Sequence, residues 1–344
     1  MRKLKYHQAI SEATVQCMTD DPSIFIFGQC VDDHKGTYGT TREAFEAFGR
    51  SRVIDTPNSE NAMAGICFGA AATGSRPILT FTRADFMLLA LDAIVNIGAK
   101  WRYIHAGKGG APAVMRGVVG RGWGQGATHS QSLHSVFGHF PGLYVGAPAS
   151  PADAKGMLVQ ALRTEDPVVL IENRGLYGVE GEVPEELVPV PFGRGRVVRP
   201  GSDVTIVAVS LMVYEAQSAA DILADRGVSA EVIDLRSIRP LDEAIICDSV
   251  GKTGRLVIAD TSWARYGLAA EVAAVVAENV PGALREPVRR VTQADCPSPV
   301  SWPLEEAFNP NARSIAQACL SVLHSDRVVT PGLSDITADF VGPF

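Results

Sequence analysis

Apolar side chains recur at helical spacing over residues 4–19, and the next apolar run, IFIFG at 24–28, is short, β-branched and aromatic and ends in glycine. The first pattern predicts an amphipathic helix and the second a buried strand. The alternation continues with a small-residue helix from about Ser59, strand RPILTF at 76–81, helix DFMLLALDAIVNIGA at 85–99, strands APAVMRG and LYVGAP, helix ADAKGMLVQALR and strand PVVLIEN. These strands lack an apolar and polar period of two, so both of their faces are covered. That is the mark of a parallel sheet held between helix layers.

Toward residue 180 the text turns rich in Pro, Gly and charge, GVEGEVPEELVPVPFGRGRVVRPGSD, and loses helical period. Such a stretch predicts a linker. A second alternation follows: strand VTIVAVS, helix VYEAQSAADILADRG, strand VSAEVIDL, helix LDEAIICDSV, strand RLVIAD, helix LAAEVAAVVAEN, strand EPVRRVT and helix ARSIAQACLSVLHS. The expected architecture is two parallel-sheet α/β domains, 1–178 and 204–326, joined by a linker at 179–203 and followed by an aperiodic tail at 327–344.

A chain of 344 residues suits about two cores. Its 46% hydrophobic and 20% charged residues describe a globular protein. The net charge of -7 argues against a nucleic-acid or anionic-membrane partner, which needs clustered Lys and Arg. No apolar run approaches the ~20 residues that span a bilayer, and the amino terminus has no continuous apolar core of a signal peptide. The six cysteines are scattered without a C-x-x-C pair, which signals neither zinc nor a disulfide framework and fits a reducing cytoplasm.

Several chemistries fall away on spacing. VGRGWGQG at 119–126 lacks the G-x-G-x-x-G register of a dinucleotide site, and the GKT at 251–253 has Ile246 where a phosphate loop needs glycine. His129, His134 and His139 recur every five residues, ~140° apart on a helix, so they cannot share a metal-facing side. Of these, His129 stands in a small, polar context, GATHSQS, where a side chain can face a ligand or simply be a satisfied structural residue. Glu60, in DTPNSENAMAG, has two readings. It complements the dipole of the helix it begins, or it holds a proton in a water-poor cleft for a ligand nitrogen. Phe86 is core packing or a ring that meets a ligand.

Read together, FG-x-x-V at 27–31, VIDTP-x-x-E at 53–60, G-x-RP at 74–77, ALD at 90–92, GATHSQS with GHFPGLYV at 126–145, P-x-DAKG-x-L at 151–158, DPVVLIEN at 166–173 and EVIDLRSIRPLD at 231–242 make the chain resemble a known family. It is that of the β subunits of the thiamine-diphosphate-dependent first component of 2-oxo acid dehydrogenase complexes, within the transketolase-like superfamily. The resemblance implies a pyrimidine-binding domain followed by a transketolase C-terminal-like domain. It implies that Glu60 places a proton on the cofactor's pyrimidine nitrogen, that Phe86 packs on that ring, that Gln29 lies at the cofactor, and that His129 serves proton transfer or orients an incoming lipoyl group. There is no GDG segment in the sequence. Mg²⁺ and the diphosphate are therefore expected on a separate α subunit, in an α₂β₂ heterotetramer.

The chain also departs from that pattern. Gln29-Cys30 replaces an acidic pair, TFTRADF carries Thr82, Arg83 and Ala84 in place of bulky side chains, Thr164 replaces the aspartate of a potassium loop, and SPVSWPLEEAFNP replaces the usual carboxy-terminal stretch. The leading expectation is decarboxylation of a 2-oxo acid with acyl transfer to a lipoyl group, with a lipoyl acyltransferase component as a further partner. A two-carbon transferase in a biosynthetic pathway, with Arg83 meeting an anionic group, is the alternative. A non-catalytic stabilising partner of an α subunit is the third reading, opposed by retention of Glu60 and His129.

Overall fold

The computed structural model of the chain describes residues 2–120 and 124–330 and divides into two units. The first gathers residues 2–120 and 129–192, and the second 193–330 with the short stretch 124–128. The centre of VGRGWGQG, 121–123, and the end of the tail, 331–344, lie outside the described residues.

The first unit runs β1 (Arg2–Lys5), α1 (Tyr6–Asp20), β2 (Ile24–Gly28), α2 (Arg42–Phe48), β3 (Val53–Asp55), α3 (Glu60–Ala72), β4 (Arg76–Phe81), β5 (Val114–Val119), α4 (His134–Gly138), β6 (Tyr144–Gly146), α5 (Pro151–Arg163), β7 (Val168–Asn173) and β8 (Glu180–Val183). Its main sheet has the order β6-β7-β5-β4-β2-β3, and every one of these pairings is parallel. Ile26, Ile78, Met115, Val168 and Val169 in these strands are completely buried. Each contributes roughly 1.5–3 kcal/mol by leaving water. This is the layered parallel sheet that the unbroken apolar runs predict.

The second unit carries a five-stranded sheet. It runs β9 (Arg196–Arg199), β10 (Val204–Ala208), α6 (Met212–Ala224), β11 (Ala230–Asp234), α7 (Glu243–Thr253), β12 (Leu256–Trp263), α8 (Leu268–Asn279), β13 (Arg289–Gln293), α9 (Trp302–Phe308) and α10 (Ala312–Val322). The strand order is β13-β12-β10-β11-β9, parallel except for the antiparallel β9. Beyond α10 the first residues of the tail lie along it, where the Val329 N–H donates to Gln317 Oε1 at 2.8 Å.

Two expectations need correction. The stretch 179–203 holds strands rather than linker alone: β8 pairs antiparallel with β1, and β9 forms an edge of the second sheet. Their sequences, EGEV and RVVR, are short and charged. An edge strand with one neighbour needs little apolar surface, which hides it from a hydrophobic pattern. The predicted α-helix over 85–99 winds instead as a 3₁₀ segment at Ala84–Ala90 and a π segment at Ala93–Gly98. In the first of these the buried residues Ala84, Met87 and Ala90 recur every three positions, the period of a 3₁₀ helix.

A buried ion pair crosses the middle of the first sheet. Arg116 on β5 donates to both carboxylate oxygens of Glu172 on β7, at 2.6 and 2.9 Å, and the Tyr177 hydroxyl donates to Glu172 Oε2 at 2.6 Å. Burial pulls the Arg116 proton affinity down, yet the Glu172 charge and its hydrogen bonds hold it above the ordinary value. Burial, and then the Glu172 charge, push the Tyr177 hydroxyl well up. Removing one charge strands the other away from water. Glu172→Ala is expected to lower the unfolding free energy by about 3–5 kcal/mol, whereas Arg116→Met with Glu172→Leu recovers most of the loss, as read by urea denaturation.

Candidate active site

In an open parallel sheet the chain leaves each strand at its carboxyl end, and a crevice opens where successive connections run to opposite sides. Here the connection from β2 goes to β3 on one side, and that from β4 goes to β5 on the other. The crevice therefore lies between the carboxyl ends of β2 and β4. Gln29 follows β2 and Thr82 follows β4.

Three side chains from three strand ends link there. Thr82 Oγ1 donates to Gln29 Oε1 at 3.5 Å, and Gln29 Nε2 donates to Glu60 Oε1 at 2.9 Å. Glu60 is the first residue of α3, so it complements the helix dipole as well. The two readings of this residue are compatible. Among the described residues no donor reaches Oε2, which leaves one carboxylate oxygen open beside a half-buried amide.

The backbone holds this arrangement from below. Gly28 has φ +150°, and a Cβ there would lie 2.2 Å from the Thr80 carbonyl oxygen, so only glycine lets β2 and β4 meet at this point. Asp55, the last residue of β3, accepts from the Cys30 N–H at 2.7 Å, and the Thr56 N–H donates to the Gly28 carbonyl at 3.1 Å. The turn carrying Gln29 is thus fastened to the turn that leads to Glu60. Cys30 itself has φ +58°, a left-handed conformation for a non-glycine residue.

Phe86 and His129 meet edge to face, with ring centroids 5.3 Å apart, and both are half-buried. Neither is plain core. Gly120 makes room for the backbone of His129, because a Cβ on Gly120 would meet the His129 carbonyl oxygen at 2.3 Å. His134 lies on the short α4 and is buried, while His139 is exposed and packs against Phe140. Only His129 of the three joins the ring of Phe86. Among the described residues no group of three or more His, Cys, Asp or Glu is arranged to hold a metal ion.

Sequence reasoning assigned no role to Asp55, Thr82, Asp85 or Gln131, although all four bond within this edge. Asp55 stands inside VIDTP and Asp85 directly before Phe86, but a carboxylate that accepts a backbone or amide N–H has no periodic signature. Arg83, buried to 7% exposure, donates through Nη1 to the Tyr38 hydroxyl and lies with its guanidinium carbon 5.2 Å from that ring. Arg174, which follows β7, covers the same ring at 4.6 Å and Tyr177 at 5.0 Å. Burial lowers its proton affinity, and the nearby Arg83 charge adds to the decrease.

An open carboxylate oxygen, a neutral amide, and an aromatic ring set against an imidazole suit a flat nitrogen heterocycle: one group for a ring nitrogen, one face for stacking.

Known proteins share the sequence and the fold of this chain. Residues 2–180 match the transketolase pyrimidine binding domain and residues 193–315 the transketolase C-terminal domain. The acetoin:2,6-dichlorophenolindophenol oxidoreductase subunit beta of Cupriavidus necator is 43% identical over 92% of this chain and 96% of its own length. The pyruvate dehydrogenase E1 component subunit beta of Rickettsia felis is 38% identical over 94% of this chain and 99% of its own. A solved split gene transketolase, described as an inactive beta4 tetramer, superposes with a TM-score of 0.77 at 26% identity, covering 94% of this chain and 99% of that one. The transketolase from Leishmania mexicana shares the fold, with a TM-score of 0.71 at 17% identity over 97% of this chain and 48% of that one. The chain therefore belongs to the family of β subunits of thiamine-diphosphate-dependent 2-oxo acid dehydrogenases, built from a transketolase pyrimidine-binding domain and a transketolase C-terminal domain.

Proposed function

We propose that this chain contributes Glu60, Gln29, Phe86 and His129 to a thiamine diphosphate bound jointly with an α subunit, in an α₂β₂ enzyme that decarboxylates a 2-oxo acid and passes the acyl unit to a lipoyl group. The observation that carries the reading is the Gln29 to Glu60 hydrogen bond at the switch point, with Glu60 Oε2 left open. The residues fit the group. Glu60 holds a proton for the pyrimidine nitrogen, Gln29 fixes the carboxylate by its other oxygen, and Phe86 offers a ring face. His129, against Phe86, moves a proton at the reacting carbon or steers the acceptor. Thiamine diphosphate, when bound, supplies the carbon nucleophile and the electron sink for the 2-oxo acid.

The sequence has no GDG segment, which supports an α subunit as holder of Mg²⁺ and the diphosphate. The split gene transketolase, described as an inactive β tetramer, supports the same dependence on a second chain. Free cysteines, of which Cys17, Cys67 and Cys319 are buried, support a cytoplasmic setting, and no helix among the described residues is long and apolar enough to cross a membrane.

A second reading, two-carbon transfer from an anionic donor such as a ketose phosphate, is favoured by one feature. Two guanidinium groups, Arg83 and Arg174, converge on Tyr38 at the carboxyl edge of the sheet. Tyr38 and its neighbour Thr37 both have positive φ, a costly conformation that the surrounding structure enforces. Guanidinium pairs of this kind suit phosphate or carboxylate.

Glu60→Gln in the assembled enzyme is expected to lower turnover by about 10²-fold or more without disturbing assembly. Turnover by dye reduction and the subunit ratio by gel filtration check the two parts, and unchanged turnover sinks the proton role. Carbon dioxide release from a panel of 2-oxo acids, measured with the α subunit, cofactor, Mg²⁺ and an artificial electron acceptor, is expected for at least one member. Silence from a complex that binds the cofactor transfers the case to ketose phosphates, and Arg83→Ala then raises KM for the phosphorylated donor by about tenfold or more.

A further inference from the structure

Asp85 is 6% exposed and stands at the start of the 3₁₀ segment, directly before Phe86. Its Oδ1 accepts two hydrogen bonds from a single residue, the Gln131 backbone N–H at 3.2 Å and the Gln131 Nε2 at 2.8 Å. Its Oδ2 is buried and has no hydrogen-bond partner among the described residues. Buried carboxylate oxygens are normally satisfied, and leaving one open costs stability that a structural tie alone does not require. The placement accounts for the carboxylate. Gln131 lies two residues beyond His129, and Phe86, next to Asp85, is the ring on which His129 rests. One oxygen therefore joins the two segments that carry the interacting rings, by a bond to the main chain and a bond to the side chain of the same residue.

From this juxtaposition we infer that Asp85 is a positioning residue for His129, acting through Gln131. The carboxylate draws both donors of Gln131 to one point and so sets the path of the loop that carries the imidazole. A charged acceptor makes these bonds shorter and stiffer than a neutral one does. The inference rests on the reading that His129 acts at the reacting carbon. The hydrogen bonds of Asp85 run to Gln131.

The test is a double-substitution cycle in the assembled enzyme, with α subunit, thiamine diphosphate and Mg²⁺ present and the substrate found by the donor panel. Asp85→Asn is expected to lower kcat by about 10–10²-fold, because small displacements of a catalytic group cost rate. KM and cofactor affinity, the latter followed by tryptophan fluorescence, are expected to stay within about twofold, since the loop moves while the binding groups remain. In a His129→Ala background the same change is expected to have less than about a twofold effect, because a residue that works through another loses its influence once that residue is gone. Gln131→Ala, which keeps the main-chain bond and removes the side-chain one, is expected to give a smaller loss of kcat in the same direction, so the inference stands on a second variant if Asp85→Asn folds poorly.

Equal losses from Asp85→Asn in both backgrounds would overturn the inference and leave the role of His129 intact. Full kcat in His129→Ala alone would overturn both, since Asp85 would then have nothing to position. A rise in KM or a loss of cofactor binding with unchanged kcat would assign Asp85 to binding instead, and so overturn the positioning role.

Discussion

The site depends on the parallel register of three strands. Ile26 on β2 faces Val53 on β3 and Ile78 on β4, so Gly28, Asp55 and Thr80 come level at the carboxyl edge. Gln29 and Thr56 follow directly and Thr82 follows Thr80 by two positions, so the three leave the sheet within one residue of the same height. A slip of one residue in any of these strands would turn its side chains to the opposite face and separate Thr82, Gln29 and Glu60. Gly28 is the local expression of the same constraint, since any side chain at that position would meet the backbone of Thr80.

The edge and the interior of this sheet treat charge differently. Inside, Arg116 and Glu172 neutralise one another and are fully desolvated together. Along the edge the carboxylates meet neutral donors: Glu60 the Gln29 amide, Asp55 the Cys30 N–H, Asp85 the two donors of Gln131. A neutral donor fixes the direction of a carboxylate without cancelling its charge. Such a group keeps its capacity to accept a proton or a further hydrogen bond, which a buried ion pair has surrendered. Two guanidinium groups of this unit, Arg83 and Arg174, lie over the ring of Tyr38.

Replacement of an acidic residue by Gln29 takes on a structural meaning in this light. An amide donates to Glu60 Oε1 at every pH at which the protein is folded, whereas a carboxylate at the same place would compete with Glu60 for a single proton. The departure in sequence thus gives the Glu60 carboxylate a neutral donor that holds its direction.

The amino-acid sequence by itself determined the layered α/β architecture, because strands covered on both faces carry unbroken apolar runs such as IFIFG and PVVLIEN, and helices carry their own period. It also determined the family, through ordered motifs spread along the whole chain, and it singled out Glu60, Phe86 and His129 as candidates. The edge strands EGEV and RVVR were not legible, since a strand with one neighbour needs no apolar face, and the 3₁₀ and π turns over 84–98 were not, since packing against β5 and α3 sets their winding. Only the tertiary structure decided what each polar group holds. Asp85 and Gln131 are 46 positions apart, and Gln29 and Glu60 are 31. A hydrogen bond between such residues has no signature in local pattern, because it is the pairing order of the strands, and not the spacing of the residues, that brings the two ends together.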